Sequence, residues 1–153
     1  MSNSLDNFTL YINSTNYLER FTSLNDQSYS FNADNIEPGK YKIQMSYRGG
    51  DDPAATISLA QYASIYVSFG SVADVYTPGN TNNFKSTQCV GHSLQYVTGT
   101  VLYCYAETRT NPPTYINYSP SNVIRITLRS GLTNNLYGGT ANYSLFLQFS
   151  KCD

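Results

Sequence analysis

Cys89-Val90-Gly91-His92 is the one segment in which the sole histidine stands beside a nucleophile or ligand type. A thiol next to an imidazole can carry nucleophilic catalysis, the ring accepting the sulfur's proton, and the same two groups can ligate zinc. A structural zinc site wants four such ligands and a catalytic one usually three, yet Cys104 and Cys152 stand alone in sequence. The plainer reading is a strand-end cysteine followed by a loop histidine. Carboxylate pairs are the other route to catalysis, and they require the fold to bring two acids, such as Asp52 and Asp74, across one cleft. Asp51-Asp52 after Gly49-Gly50 would suit the start of a calcium loop, but no further acid follows at regular spacing, which favours solvated turn residues. A phosphate-binding glycine loop, a dinucleotide fingerprint and a nucleophile elbow are all missing. The expectation is a protein without enzymatic activity, cofactor or metal.

Tyrosine is the richest functional resource, with 15 copies. Tyr41, Tyr47, Tyr103, Tyr105 and Tyr143 fall at alternating strand positions, as core or sheet-face residues do. Tyr76, Tyr115, Tyr118 and Tyr137 lie beside loops and are the candidate interface residues, because a phenol ring offers area at low entropy cost and a hydroxyl for hydrogen bonding. Either a sugar ring or a protein surface would suit them.

The elements that must position these groups are strands. Phe8 to Ile12 alternates, with Phe8, Leu10 and Ile12 on one face. Leu18 to Asn25 reads as a helical turn or loop, and Ser28 to Asn32 as a second strand with Tyr29 and Phe31 together. After the Pro38-Gly39 turn, Tyr41, Ile43, Met45 and Tyr47 alternate with Lys42, Gln44, Ser46 and Arg48, giving one core face and one wet face. Further strands are expected at Ala55 to Ala60, Ser64 to Phe69, Gln88 to Val90, Ser93 to Val97, Thr100 to Ala106, Thr114 to Asn117 and Asn122 to Arg129. Tyr143, Leu145, Leu147 and Phe149 form the inward side of the last one, opposite Ser144, Phe146 and Gln148. Tyr76 to Thr87, with its Pro-Gly-Asn and Asn-Asn steps, reads as a surface loop. Eight to ten short strands separated by turn signals predict an all-β fold, a two-sheet antiparallel β-sandwich of jelly-roll type. An immunoglobulin-like arrangement fits less well, since there is no Trp and no paired-cysteine spacing.

The chain has 153 residues, enough for one domain with a real core, read as a short arm over 1–7 followed by a single domain over 8–153. Charged residues make up only 12%, about half the usual share, so Ser, Thr, Asn, Gln and Tyr must cover much of the surface. A neutral skin is cheaper to desolvate than a charged one, which suits a protein that lies against other protein. Strand propensity alone also explains much of the Thr and Tyr content. A net charge of -1 with scattered basic residues excludes a nucleic-acid groove. The first residues lack the basic start and apolar run of a signal peptide, and no segment reads as a membrane span. With three unpatterned cysteines this predicts free thiols in a reducing compartment, and the sequons at Asn7, Asn13, Asn117 and Asn142 then count as chance.

Three segments taken together, SFNADNIEPGKYKIQMSYRG, NPPTYINYSPSNVIRITLRSG and ANYSLFLQFSKCD, resemble the single jelly-roll minor capsid or capsid-associated proteins of large eukaryotic DNA viruses, the giant and algal viruses. The resemblance rests on the turn before Tyr41, on Asn111-Pro112-Pro113, on Pro120 and Asn122 opening a long strand, and on Tyr143, Leu145, Leu147 and Phe149. Thr110 stands where that pattern has an acid, and the segment before residue 28 has no counterpart. The resemblance implies a non-enzymatic component of the virion capsid, assembled in the host cytoplasm. Its expected partners are other capsid proteins, including a major capsid protein, and copies of itself. A carbohydrate-binding, lectin-like β-sandwich is the alternative.

Overall fold

The structure is a computed structural model that describes residues 6–49, 52–53, 63–69, 88–98, 101–106, 113–130 and 135–152. Among the described residues there is no helix, and the strands form a seven-stranded and a five-stranded sheet whose pairings are all antiparallel. In chain order the strands are β1 (Asn7–Asn13), β2 (Glu19–Arg20), β3 (Asp26–Ser30), β4 (Gly39–Gly49), β5 (Asp52–Pro53), β6 (Ala63–Phe69), β7 (Gln88–His92), β8 (Leu94–Thr98), β9 (Val101–Ala106), β10 (Thr114–Tyr118), β11 (Val123–Ser130) and β12 (Tyr143–Lys151).

Eight of them carry the framework. In the first sheet β1 pairs β12, β12 pairs β4, and β4 pairs β10; in the second the order is β3, β11, β6, β7. Numbered by appearance among these eight, the first sheet runs first, eighth, third, sixth and the second runs second, seventh, fourth, fifth. That interleaving of two Greek keys is a jelly roll. The remaining strands are additions: β2 extends the β3 edge, while β9 joins the far half of β4 at Tyr47 and Arg48 and carries β8 and β5.

Alternation explains why these segments become strands and which side they bury. Tyr41, Ile43, Met45 and Tyr47 of β4 and Tyr143, Leu145, Leu147 and Phe149 of β12 are all at most 5% exposed, whereas Phe146 between them is 45% exposed. They meet Ile65 and Val67 of β6, Val90 of β7 and Ile124, Ile126 and Leu128 of β11 in one core cluster. Each such aliphatic side chain contributes about 1.5–3 kcal/mol by leaving water. Aromatic edges lock the sheets together: Phe69 of β6 meets Tyr118 of β10 at 4.9 Å with the rings nearly perpendicular, and Phe149 of β12 at 5.9 Å. Gly39, at φ 143, opens β4 in a backbone conformation that side-chain-bearing residues avoid.

Two local expectations are corrected. The second strand is Asp26–Ser30, two residues earlier than Ser28 to Asn32, and Glu19–Arg20 pairs with Ser28 and Gln27 where a helical turn or loop was expected. The reason is polar: the buried Asp26 and Gln27 side chains each find hydrogen-bond partners, which hydrophobic patterning does not reveal. The first strand includes Asn7, and the carbonyl of Asp6 already accepts the N–H of Lys151, so ordered pairing reaches into the expected arm. The strand expected at Ala55 to Ala60 and the loop at Tyr76 to Thr87 lie outside the described residues.

Candidate functional site

The chemically rich residues gather on the outer face of the second sheet. β11 lies between β3 and β6, so its register places Asp26, Thr127, Tyr66 and Cys89 in one row across four strands, with Arg129, Ser64 and His92 in the next. Asp26 is the anchor. Arg125 donates from Nε and from Nη2 to its two carboxylate oxygens, each at 2.8 Å, and the Thr127 hydroxyl adds a contact at 3.3 Å. The guanidinium also lies 4.0 Å from the centre of the Phe21 ring. Burial lowers the Arg129 pKa while the Asp26 charge raises it.

The cysteine and histidine each have a hydrogen-bond partner of their own. The Cys89 thiol points at the carbonyl of Gly91, 3.5 Å away, and burial raises its pKa, which disfavours the thiolate that nucleophilic or metal chemistry needs. His92 Nδ1 instead shares a hydrogen bond of 2.9 Å with Ser64 Oγ across the β6–β7 pair. Ser64 is only 3% exposed, so this contact ties the imidazole to the sheet. Among the described residues no three His, Cys, Asp or Glu side chains converge on a point where a metal ion would sit.

The candidate tyrosines separate. Tyr115 is exposed on the outer face of the first sheet, and Lys40 lies 4.9 Å from its ring centre. Tyr118 and Tyr137, expected at the surface, are buried at 3% and 4%: Tyr118 sits against Phe69, and the carbonyl of Tyr137 accepts a hydrogen bond from the buried Asn25 amide. These two belong to the core. Tyr76 lies outside the described residues.

A pair that sequence reasoning passed over is about as exposed as Tyr115. Tyr11 of β1 and Phe146 of β12 are direct cross-strand partners, their rings 4.7 Å apart, and 57% and 45% exposed. Around them the same register places Thr9, Gln148, Gln44 and Ser46, then Lys42 and Tyr115. Among the described residues this outer face is aromatic and amide-rich, and its charges, Lys40, Lys42 and Arg48, are all positive. The signal was present in the sequence: an aromatic on the wet side of an alternating strand has no core reason to be there.

Behind these faces, one end of the sandwich is held by a buried polar chain. The Arg20 guanidinium donates to Gln27 Oε1 at 2.6 Å, and Gln27 Nε2 donates to the Tyr29 hydroxyl at 2.8 Å and the Ser14 carbonyl at 3.0 Å. The Tyr29 and Tyr143 hydroxyls meet at 2.9 Å, and burial pushes the Tyr143 pKa well above its usual value.

The fold and these faces define an all-β jelly-roll sandwich whose first sheet has an aromatic outer face with basic side chains. No protein-family model matches the chain, and no curated protein matches it.

Proposed function

We propose that this protein is a non-enzymatic structural component of a virus particle, a minor capsid protein that packs on major capsid subunits or on copies of itself. The observation that carries the reading is the outer face of β1, β12, β4 and β10. Its exposed Tyr11, Phe146 and Tyr115 are set among amides, hydroxyls and basic side chains, with no carboxylate among the described residues of these strands, a surface rich in the aromatic anchors that interfaces use. The jelly roll is compatible with this role, as it is with lectins. The Cys89 thiol bonded to a backbone carbonyl and the His92 ring bonded to Ser64 are in keeping with a non-enzymatic role. The basic residues on this face favour a partner surface of opposite sign.

The test is proteomic and biochemical. Purified particles should contain the chain at fixed stoichiometry, and the isolated protein should bind shell subunits. Replacing Tyr11 and Phe146 together by serine should weaken that binding by at least about 2 kcal/mol, the scale of an aromatic hot spot. Absence from particles, or undiminished binding by the double variant, counts against the reading. A glycan array addresses the lectin alternative, for which the Tyr11–Phe146 pair beside Gln44 and Gln148 is the favouring geometry. That alternative predicts saturable sugar binding lost in the same variant.

A further inference from the structure

Among the described residues, the free side of β1 is an uncapped sheet edge. Ser14 N–H donates to the Tyr143 carbonyl and Lys151 N–H to the Asp6 carbonyl. Hydrogen-bonded pairs recur every second residue in an antiparallel ladder, so Asp6, Phe8, Leu10 and Ile12 turn their backbone groups toward β12. Asn7, Thr9 and Tyr11 therefore turn theirs away from it, where β1 has no neighbour among the described residues. The carbonyl of Asn13, next in that series, is occupied by the N–H of Asn16 as the chain turns off the sheet.

Edges of this kind are usually protected by lysine, proline, a bulge or a covering loop. NFTLYIN carries neither charge nor proline, and it pairs with β12 at all seven positions without a register shift. Phe8 and Leu10 are only partly buried although their side chains pack on the core. Beside them, on the open flank between β1 and β3, lies a cavity of about 240 Å³ lined by Leu10, Ile12, Asn16, Tyr29, Phe31 and Ile124.

We propose that β1 is a homodimer interface, pairing antiparallel with β1 of a second copy about a twofold axis at Thr9. The three residues with outward backbone groups are centred on Thr9. A twofold there sets Asn7 against the partner's Tyr11, Thr9 against the partner's Thr9, and Tyr11 against the partner's Asn7. Each of these pairs exchanges two hydrogen bonds. On the inner side the same register places Phe8 beside the partner's Leu10 and the reverse, each covering what the other leaves half-exposed. The edge is self-compatible because no charge meets its own image, and a chain of net charge -1 offers little repulsion between copies. The symmetry closes at two and leaves no further β1 edge to extend a fibre. The proposal concerns self-association alone and holds whatever larger structure the dimer enters.

The experiment is sedimentation equilibrium of the purified chain in reducing buffer, without shell proteins or sugars, for wild type, Thr9→Lys and Thr9→Glu. Wild type should sediment at twice the chain mass. Each single variant should dissociate at least about fivefold more readily, because like charges directly opposite one another destabilise a strand pair. An equimolar mixture of the two should restore dimer, now as a heterodimer, since lysine faces glutamate at the axis. Circular dichroism and thermal unfolding of the variants establish that each monomer is folded. A wild type that stays monomeric to about millimolar concentration overturns the proposal. So does a Thr9→Lys homodimer as tight as wild type, or a mixture no tighter than either parent, since each places the axis elsewhere. Particle binding by the outer face is read separately and survives any of these failures.

Discussion

At the scale of single residues, the sandwich depends on polar groups that found partners inside it. Asp26 and Arg125 are joined by two hydrogen bonds, with side chains 11% and 15% exposed, so removing one partner strands the other charge in a largely dry site. Asp26→Ala should cost about 3 kcal/mol in urea unfolding, toward the range for breaking a buried pair. Replacing both residues with apolar ones should cost much less. Tyr143 makes a pH prediction. Burial raises the pKa of both Tyr143 and Tyr29 above 10.0, so the folded chain holds protons that the unfolded chain releases. Their contribution is complete below pH 10.0 and is lost as pH rises past it. Unfolding titrations should show stability falling above that point with an additional step of tyrosinate absorbance on unfolding, and Tyr143→Phe should flatten the fall. At neutral pH that variant should lose about 1 kcal/mol, the net value of one hydrogen bond. Burial is also why the site was only half legible in sequence. Tyr115 and Tyr118 sit three residues apart on one strand, so the pleat sends one outward and the other inward, and being near a loop says nothing about which.

At the scale of elements, the legible strands were those whose burial is purely apolar. β4 and β12 announce themselves by strict alternation, and their inward residues are the ones expected. β3 did not, because DQSYS buries Asp26, Gln27 and Ser28, and only their partners on β11, Arg20 and the turn at Ser14 make that tolerable. β2 is two residues long and exists by virtue of pairing with β3, too short for any period to appear. β12 permits the sharpest test of an element, because it lies between β1 and β4 and its two faces meet different surroundings. Leu147 is fully buried and Gln148, its neighbour, is exposed on the opposite face. Leu147→Ala should cost about 2–5 kcal/mol through lost transfer energy and a residual cavity. Gln148→Ala should remain within about 0.5 kcal/mol. Equal effects in a denaturant series would mean that the strand is not half-buried in the way its alternation states.

At the scale of the whole molecule, sequence spacing predicted a two-sheet jelly roll, and the strand order bears it out, but which edge stays open is a property of topology that no local pattern contains. β12 reaches its place beside β1 only after the entire chain has wound around, and β1 is left as the margin of the first sheet. If that margin pairs with its own image, folding and association are linked and stability must depend on protein concentration. A tenfold rise in concentration favours the dimer by RT ln 10, about 0.7 kcal/mol for each chain, which for a domain of this size should raise the melting temperature by about 2 °C. Thr9→Lys should shift the dependence to at least about fivefold higher concentration while melting near the wild-type temperature at the lowest concentration. The paired strands carry no charge between Asn7 and Asn13, so the wild-type dependence should persist between about 0.05 and 0.5 M salt, over which an interface held by ion pairs would weaken markedly. Calorimetric scans across concentration and salt therefore separate a backbone-paired edge from docking through Lys40, Lys42 and Arg48, whose contribution salt would screen.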